Sequence, residues 1–171
     1  AIPRLGGVVL FLSLTTALSA LFFVNNLVTQ SLQDNWSRLV VVIIPALLIF
    51  AIGAIDDMRE MPALLKLLGQ IAAAALFYGL GGRIETLSLP MLGAVELPGA
   101  ISLAITVLWI VAITNAFNLI DGLDGLASGA GLFAACVMIA VSFASGRPFI
   151  TVIALALAGA LIGFLRYNFF P

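Results

Sequence analysis

The sequence predicts an all-α polytopic membrane protein, with about six transmembrane helices and one small external β-hairpin. Three observations carry that fold class. Only 9% of the 171 residues are charged and 63% are hydrophobic, whereas a soluble domain carries about 25% charged residues. The mean hydropathy is +1.26. Apolar runs fall near 5–24, 39–55, 64–80, 100–120, 126–144 and 149–165, each about 17–21 residues long, the length that spans a bilayer as a helix. One such run alone could be a buried core helix, but six in succession with so little charge argue against a soluble core. Short links join the runs, and no repeat or low-complexity segment interrupts them, so 1–171 reads as a single transmembrane domain.

Composition also narrows the chemistry. The net charge is −1, so no basic surface points to nucleic acid. The single cysteine, Cys136, lies inside an apolar run and has no partner for an internal disulfide. There are no histidines, so proton transfer or metal binding within the chain must rest on Asp, Glu, Asn or Lys. The start at Ala1 lacks a methionine and does not have the form of a signal peptide. Both ends are read as cut from something longer.

Taken in order, the first span follows Arg4-Leu5-Gly6-Gly7, and 25–38 reads as a polar external loop. The second span closes on Asp56-Asp57. Pro62 then stops any one helix from reaching Lys66, so the chain must turn back there. The third span runs to Leu80. From Arg83 to Leu89 polar and apolar residues alternate, Pro90-Met91-Leu92-Gly93 has turn composition, and 94–97 returns. That pattern predicts a β-hairpin, with an irregular loop as the alternative. The fourth span ends in the most polar stretch of the chain, and two further spans lead to Arg166-Tyr167-Asn168. Asp34, Glu60, Glu85 and Glu96 read as solvated loop residues. Trp36 and Tyr167 suit the membrane interface, and Trp109 reads as packing. The small residues of 72–75 and 129–131 suit close helix contacts.

Parity places Arg4, Asp56-Asp57, the polar stretch near 115–124 and Arg166-Tyr167-Asn168 on one membrane face. That face holds four of the Lys and Arg residues (Arg4, Arg59, Lys66, Arg166) against three on the other (Arg38, Arg83, Arg147), a slight bias toward a cytoplasmic position.

The polar stretch is Asn115-Ala116-Phe117-Asn118-Leu119-Ile120-Asp121-Gly122-Leu123-Asp124-Gly125-Leu126-Ala127. Two Asn and two Asp recur every three residues. On a helix that step drifts by about 60°, and by about 180° from first to last, so an unbroken helix cannot aim all four at one point. Gly122 and Gly125 let the backbone leave the helix. The expectation is a helix ending near Asp121 and a tight turn holding Asp124. At the second span, adjacent Asp56 and Asp57 point about 100° apart, so the two can take different partners. Lys66 is either a snorkelling lysine, paired with the acids, or a phosphate clamp.

The thirteen-residue stretch resembles the signature of the polyprenyl-phosphate N-acetylhexosamine-1-phosphate transferases, integral-membrane enzymes that start cell-envelope glycans. Asp56-Asp57 is similar to the family's second landmark, Lys66 to its pyrophosphate-contacting lysine, and Arg4-Leu5-Gly6-Gly7 and Asn168 to its early and late cytoplasmic segments. The resemblance implies transfer of N-acetylhexosamine-1-phosphate from a UDP-sugar to undecaprenyl phosphate, with release of UMP. The short 58–63 link and the glycine start look more like the UDP-N-acetylglucosamine branch than the peptidoglycan-precursor branch. Implied roles are catalytic for Asp56 and Asp57, phosphate-binding for Lys66 and Arg4, and metal-ligating for Asn118 toward Mg²⁺ or Mn²⁺. Asp124 would accept from the uracil N–H, while Asp121, Asn115 and Gly122 shape the nucleotide pocket. Implied partners are the UDP-N-acetylhexosamine, the polyprenyl phosphate, the bilayer and, for the assembly, a homodimer. The implied location is the inner (plasma) membrane of a bacterium, with the site on the cytoplasmic face.

The family's downstream metal-binding Asp and its loop histidines are not among these residues, so the 171 residues alone are expected to be inactive. A covalent aspartyl-phosphate route stays open beside direct displacement. The alternatives to an enzyme are a membrane carrier, since intramembrane carboxylates mark ion paths, and a non-catalytic assembly subunit.

Overall fold

Lipid can solvate side chains but not backbone, so each crossing segment must satisfy its own N–H and C=O groups as a helix. The computed structural model, which describes residues 6–24, 27–91, 93–121 and 125–168, is built that way. Its elements are α1 (Gly6–Leu21), α2 (Leu27–Asp34), α3 (Trp36–Arg59), α4 (Ala63–Gly79), β1 (Thr86–Leu89), β2 (Gly93–Glu96), α5 (Gly99–Ile120), α6 (Leu126–Ala144) and α7 (Pro148–Asn168). Helices α3, α5, α6 and α7 are long and apolar enough to cross a membrane. Helices α1 and α4 are equally apolar but have 16 and 17 residues, or about 24 and 26 Å of rise. The chain is an all-α polytopic membrane protein with a small two-stranded sheet.

Its burial is that of a protein in lipid. Phe133, Phe143, Leu108 and Ile162 are exposed, while Gln70, Ser102, Thr106, Ser128 and Ser142 are buried. Small polar residues face helices, where they hydrogen-bond, and large apolar ones face outward.

The contacts divide the chain into two units, 1–37 with 117–171, and 38–116. In the first, α1, α2 and α6 all pack against α7. A Cβ on Gly6 would lie 2.9 Å from the Phe164 ring, so α1 approaches α7 closely there. Helices α6 and α7 form a hairpin whose turn is set by Gly146 (φ +63°), with the Arg147 N–H returning to the Ser142 carbonyl at 2.9 Å. Pro148 then begins α7, where its missing N–H costs no helical bond. The Ser142 and Thr151 hydroxyls meet at 2.8 Å near this turn, and Asn168 Nδ2 donates to Ser128 Oγ at 3.4 Å near the other end.

Two sequence expectations are corrected in this unit. The polar loop expected over 25–38 contains α2, whose Thr29 and Leu32 are almost completely buried. The Thr29 hydroxyl sits against the carbonyls of Leu21 and Val24, so the preceding turn and α2 fold as one piece. The first span is shorter than 5–24, because i→i−3 bonds at Phe22, Phe23 and Val24 end α1 in a tight turn.

In the second unit, α3 begins at Trp36 and ends at Arg59, longer at both ends than the expected 39–55. The hairpin between α4 and α5 is as expected: β1 and β2 are antiparallel, with Leu87 opposite Val95 and Ser88 opposite Ala94. Leu92, in its turn, lies outside the described residues. Its base is tied to α5, where Ser102 Oγ donates to the Ile84 carbonyl at 2.8 Å and the Ile84 N–H donates to Thr106 Oγ1 at 3.0 Å. Tyr78 Oη donates to the Gly99 carbonyl at 3.0 Å, and the Arg83 guanidinium lies 4.8 Å from the Tyr78 ring centre. Trp109 is exposed on α5 and does not pack as its position in a span suggests. Ala73 and Ala74 on α4 are fully buried, as the small-residue run predicts.

Candidate active site

The α3–α4 junction gathers the first group of predicted residues. Pro62 biases Met61 away from helix, and Glu60 takes a left-handed conformation (φ 45°), so α3 stops at Arg59 and the chain reverses. The reversal brings Lys66, in the first turn of α4, back to the last turn of α3. Lys66 Nζ lies 2.6 Å from Asp56 Oδ2, with both side chains only about a fifth exposed (22% and 23%). The Met61 N–H donates to Asp56 Oδ1 at 3.0 Å. Both carboxylate oxygens of Asp56 therefore have a partner. Asp57 is exposed and engages no described residue.

Local helix electrostatics do not explain these charges. Carboxylates are disfavoured at a helix C-terminus and cations at an N-terminus, by about 0.3–1 kcal/mol each. Asp56, Asp57 and Lys66 all stand at the wrong end of their helices. Such departures from local preference are expected at functional sites.

The end of α5 holds the second group. The helix stops at Ile120, and Asp121 begins the turn, its N–H still bonded to the Phe117 carbonyl at 3.1 Å. Asn118 is exposed one turn earlier and has no described partner. Gly125 is buried in a left-handed conformation (φ 70°) and caps α6, as the break in the three-residue series requires. Asp124 and Gly122 lie outside the described residues, as does Arg4. Asn115 faces α4, where its Nδ2 donates to Gln70 Oε1 at 2.6 Å and to the Val111 carbonyl at 2.8 Å.

Sequence reasoning missed Gln70 and the Met61 N–H. Gln70 carried one signal, an amide in the middle of the apolar run 64–80. No sequence signal reports a backbone N–H.

Among the described residues, no three His, Cys, Asp or Glu residues cluster as a metal cage. The donor chemistry nevertheless fits a hard divalent cation. Mg²⁺ takes oxygen ligands and commonly uses one or two protein groups plus substrate phosphate oxygens. Asn118, the predicted ligand, is an exposed oxygen donor whose side chain is not engaged by any described residue.

The comparisons with known proteins bear on the family. Residues 39–171 match the model for the glycosyl transferase family 4. Over 169 residues the chain is 32% identical to a probable undecaprenyl-phosphate N-acetylglucosaminyl 1-phosphate transferase of Bacillus subtilis, covering 99% of this chain and 44% of that protein. It is 35% identical over 178 residues to the decaprenyl-phosphate N-acetylglucosaminephosphotransferase of Mycobacterium tuberculosis, covering 98% and 43%. A phospho-N-acetylmuramoyl-pentapeptide-transferase of Clostridium botulinum is 30% identical over 182 residues, covering 99% and 52%. The chain thus spans about half the length of the curated relatives it matches. No solved structure matches it. With its family model aligned from the second predicted span to the last residue, the chain belongs to glycosyl transferase family 4.

Proposed function

We propose that this chain is the part of a polyprenyl-phosphate N-acetylhexosamine-1-phosphate transferase that binds the nucleotide sugar and the lipid phosphate. The supporting observation is the α3–α4 junction, where Asp56 secures Lys66 and leaves Asp57 exposed beside it in sequence. In this reading a lipid phosphate oxygen attacks the sugar-bearing phosphorus of the UDP-sugar. A new P–O bond forms, the bond from that phosphorus to the bridging oxygen breaks, and the bridging oxygen leaves with UMP. The names of the relatives favour N-acetylglucosamine as the sugar and undecaprenyl or decaprenyl phosphate as the acceptor.

Both reactants are anions, so the protein's task is to hold them in line and offset their charge. Lys66 receives a phosphate, with Asp56 fixing its ammonium. Asp57 orients the lipid phosphate and accepts any proton it still carries. Asp124 and Asp121 bind the nucleotide. Asn118 would be a ligand to Mg²⁺, or Mn²⁺ in its place, whose contribution when bound is to neutralise diphosphate charge. The site faces the cytoplasm of a bacterial plasma membrane in this reading, because the nucleotide sugar is water-soluble and made there.

The test is UMP release from UDP-N-acetylglucosamine and undecaprenyl phosphate with Mg²⁺, using a chain extended to the relatives' length. Asp57→Asn should lower kcat by at least about 100-fold, as expected for a group acting on the reacting centre. Asp124→Ala should mainly raise KM for the nucleotide sugar. A wild-type protein that moves a solute into liposomes but releases no UMP would be a carrier, and this reading would be wrong.

A further inference from the structure

Gln70 is 3% exposed, in the apolar interior of α4. An amide there is costly unless hydrogen-bonded, and its Oε1 accepts from Asn115 Nδ2 at 2.6 Å. The amide group of Asn115 has two N–H bonds, and the second is used on the Val111 carbonyl. Both donors of Asn115, an exposed residue, are therefore used on protein acceptors, which leaves its carbonyl oxygen for anything else.

The bridge sits one turn from the residues that carry the proposed chemistry. Lys66 precedes Gln70 by four residues on α4, and Asn118 follows Asn115 by three on α5. Four residues are about 6 Å of helix rise, so an axial slip of α4 against α5 would carry the Lys66 ammonium with it. The same level of α4 is held from α3, because a Cβ on Gly69 would lie 2.6 Å from Ile52 Cδ1. One turn further on, Ala73 and Ala74 are fully buried. Apolar contacts resist separation of helices but resist sliding poorly. A directional amide bridge resists both.

We propose that Gln70 is a positioning residue. Its hydrogen bond to Asn115 sets the axial register of α4 on α5 at the Lys66 end, the Tyr78 bond to the Gly99 carbonyl tying the far end, and so places Lys66 for the phosphates. The proposal rests on the transferase reading and adds to it a residue that touches neither substrate.

The test uses the chain extended to the relatives' length and the variants Gln70→Met, Gln70→Glu, Asn115→Leu and the Gln70→Met/Asn115→Leu double. Methionine matches the length of glutamine without its amide, and glutamate keeps an acceptor oxygen in the same place. Gln70→Met should lower kcat by about 10- to 100-fold, the scale of a small misplacement, with KM for the nucleotide sugar within about twofold. Gln70→Glu should recover most of that loss. The double variant should be no slower than the slower single variant, since both break one bond. Thermal unfolding of the same four proteins reads the bridge without activity, and their losses in Tm should likewise be less than additive.

A Gln70→Met protein with wild-type kcat would overturn the proposal, as would losses in kcat that multiply in the double variant. A less-than-additive Tm with no UMP release by the wild type would locate the error in the transferase reading, leaving the bridge as structure alone.

Discussion

Asp56 and Asp57 are adjacent and identical in type, yet the structure gives them opposite sensitivities. Asp56 accepts from Lys66 Nζ at 2.6 Å and from the Met61 N–H at 3.0 Å, whereas Asp57 accepts from no described residue. A hydrogen bond to a charged group contributes about 1.5–3 kcal/mol net, so two set a ceiling of about 3–6 kcal/mol for Asp56→Ala. Asp56 and Lys66 are 23% and 22% exposed, so water recovers part of that loss, and about 2–4 kcal/mol should remain. Asp56→Asn keeps an oxygen for Met61 but loses the charge that holds Lys66, and should cost about 1–2 kcal/mol. Asp57→Asn removes nothing from the folded structure and should stay within about 0.5 kcal/mol.

Thermal unfolding in a single detergent, followed by helical circular dichroism, reads this order. At about 2–4 °C per kcal/mol for a chain of this size, Asp56→Ala should lose roughly 5–15 °C and Asp57→Asn less than about 2 °C. Lys66→Met should resemble Asp56→Asn, and the two together should lose less than their sum. The UMP assay should show a different order, with Asp57→Asn severe despite its unchanged Tm. Equal Tm losses for Asp56→Asn and Asp57→Asn, or strict additivity with Lys66→Met, would refute the ion pair as the organiser of this junction.

Two further outcomes follow from the geometry. Asp34→Cys, at the end of α2 just before α3, and Arg59→Cys, at the last residue of α3, in a Cys136→Ala background, should react with an impermeant thiol reagent from opposite membrane sides, and Glu85→Cys should react from the same side as Asp34→Cys; labelling of positions 34 and 59 from one side would end the six-span topology. Gly125→Ala should cost about 1–2 kcal/mol, since φ is +70° there, whereas Gly129→Ala, where a Cβ meets nothing within 4 Å, should be neutral or slightly stabilising in a thermal melt.

How far the sequence could be read depended on the range of the interaction that fixes each feature. The spans were legible because lipid imposes length and apolarity on every crossing helix. The hairpin was legible because alternation and a Pro-Gly turn are local. The reversal at Met61-Pro62 was legible for the same reason, and it is what brings Lys66 back to Asp56 across ten residues. Helix α2 was not legible: eight residues are too few to hold a helix alone, and only the burial of Thr29 and Leu32 decides it. Gln70 and Asn115 are 45 residues apart, and nothing in either neighbourhood names the other. Asn115 stood out because it belongs to a regular polar series, which suggested a ligand. Its partner turned out to be another helix. A polar residue in an apolar span must find a hydrogen-bond partner, so its presence in the sequence shows that a partner exists. Whether that partner lies within the protein is decided by tertiary structure, and within one series Asn115 takes Gln70 of α4 whereas Asn118, one turn later, is engaged by no described residue.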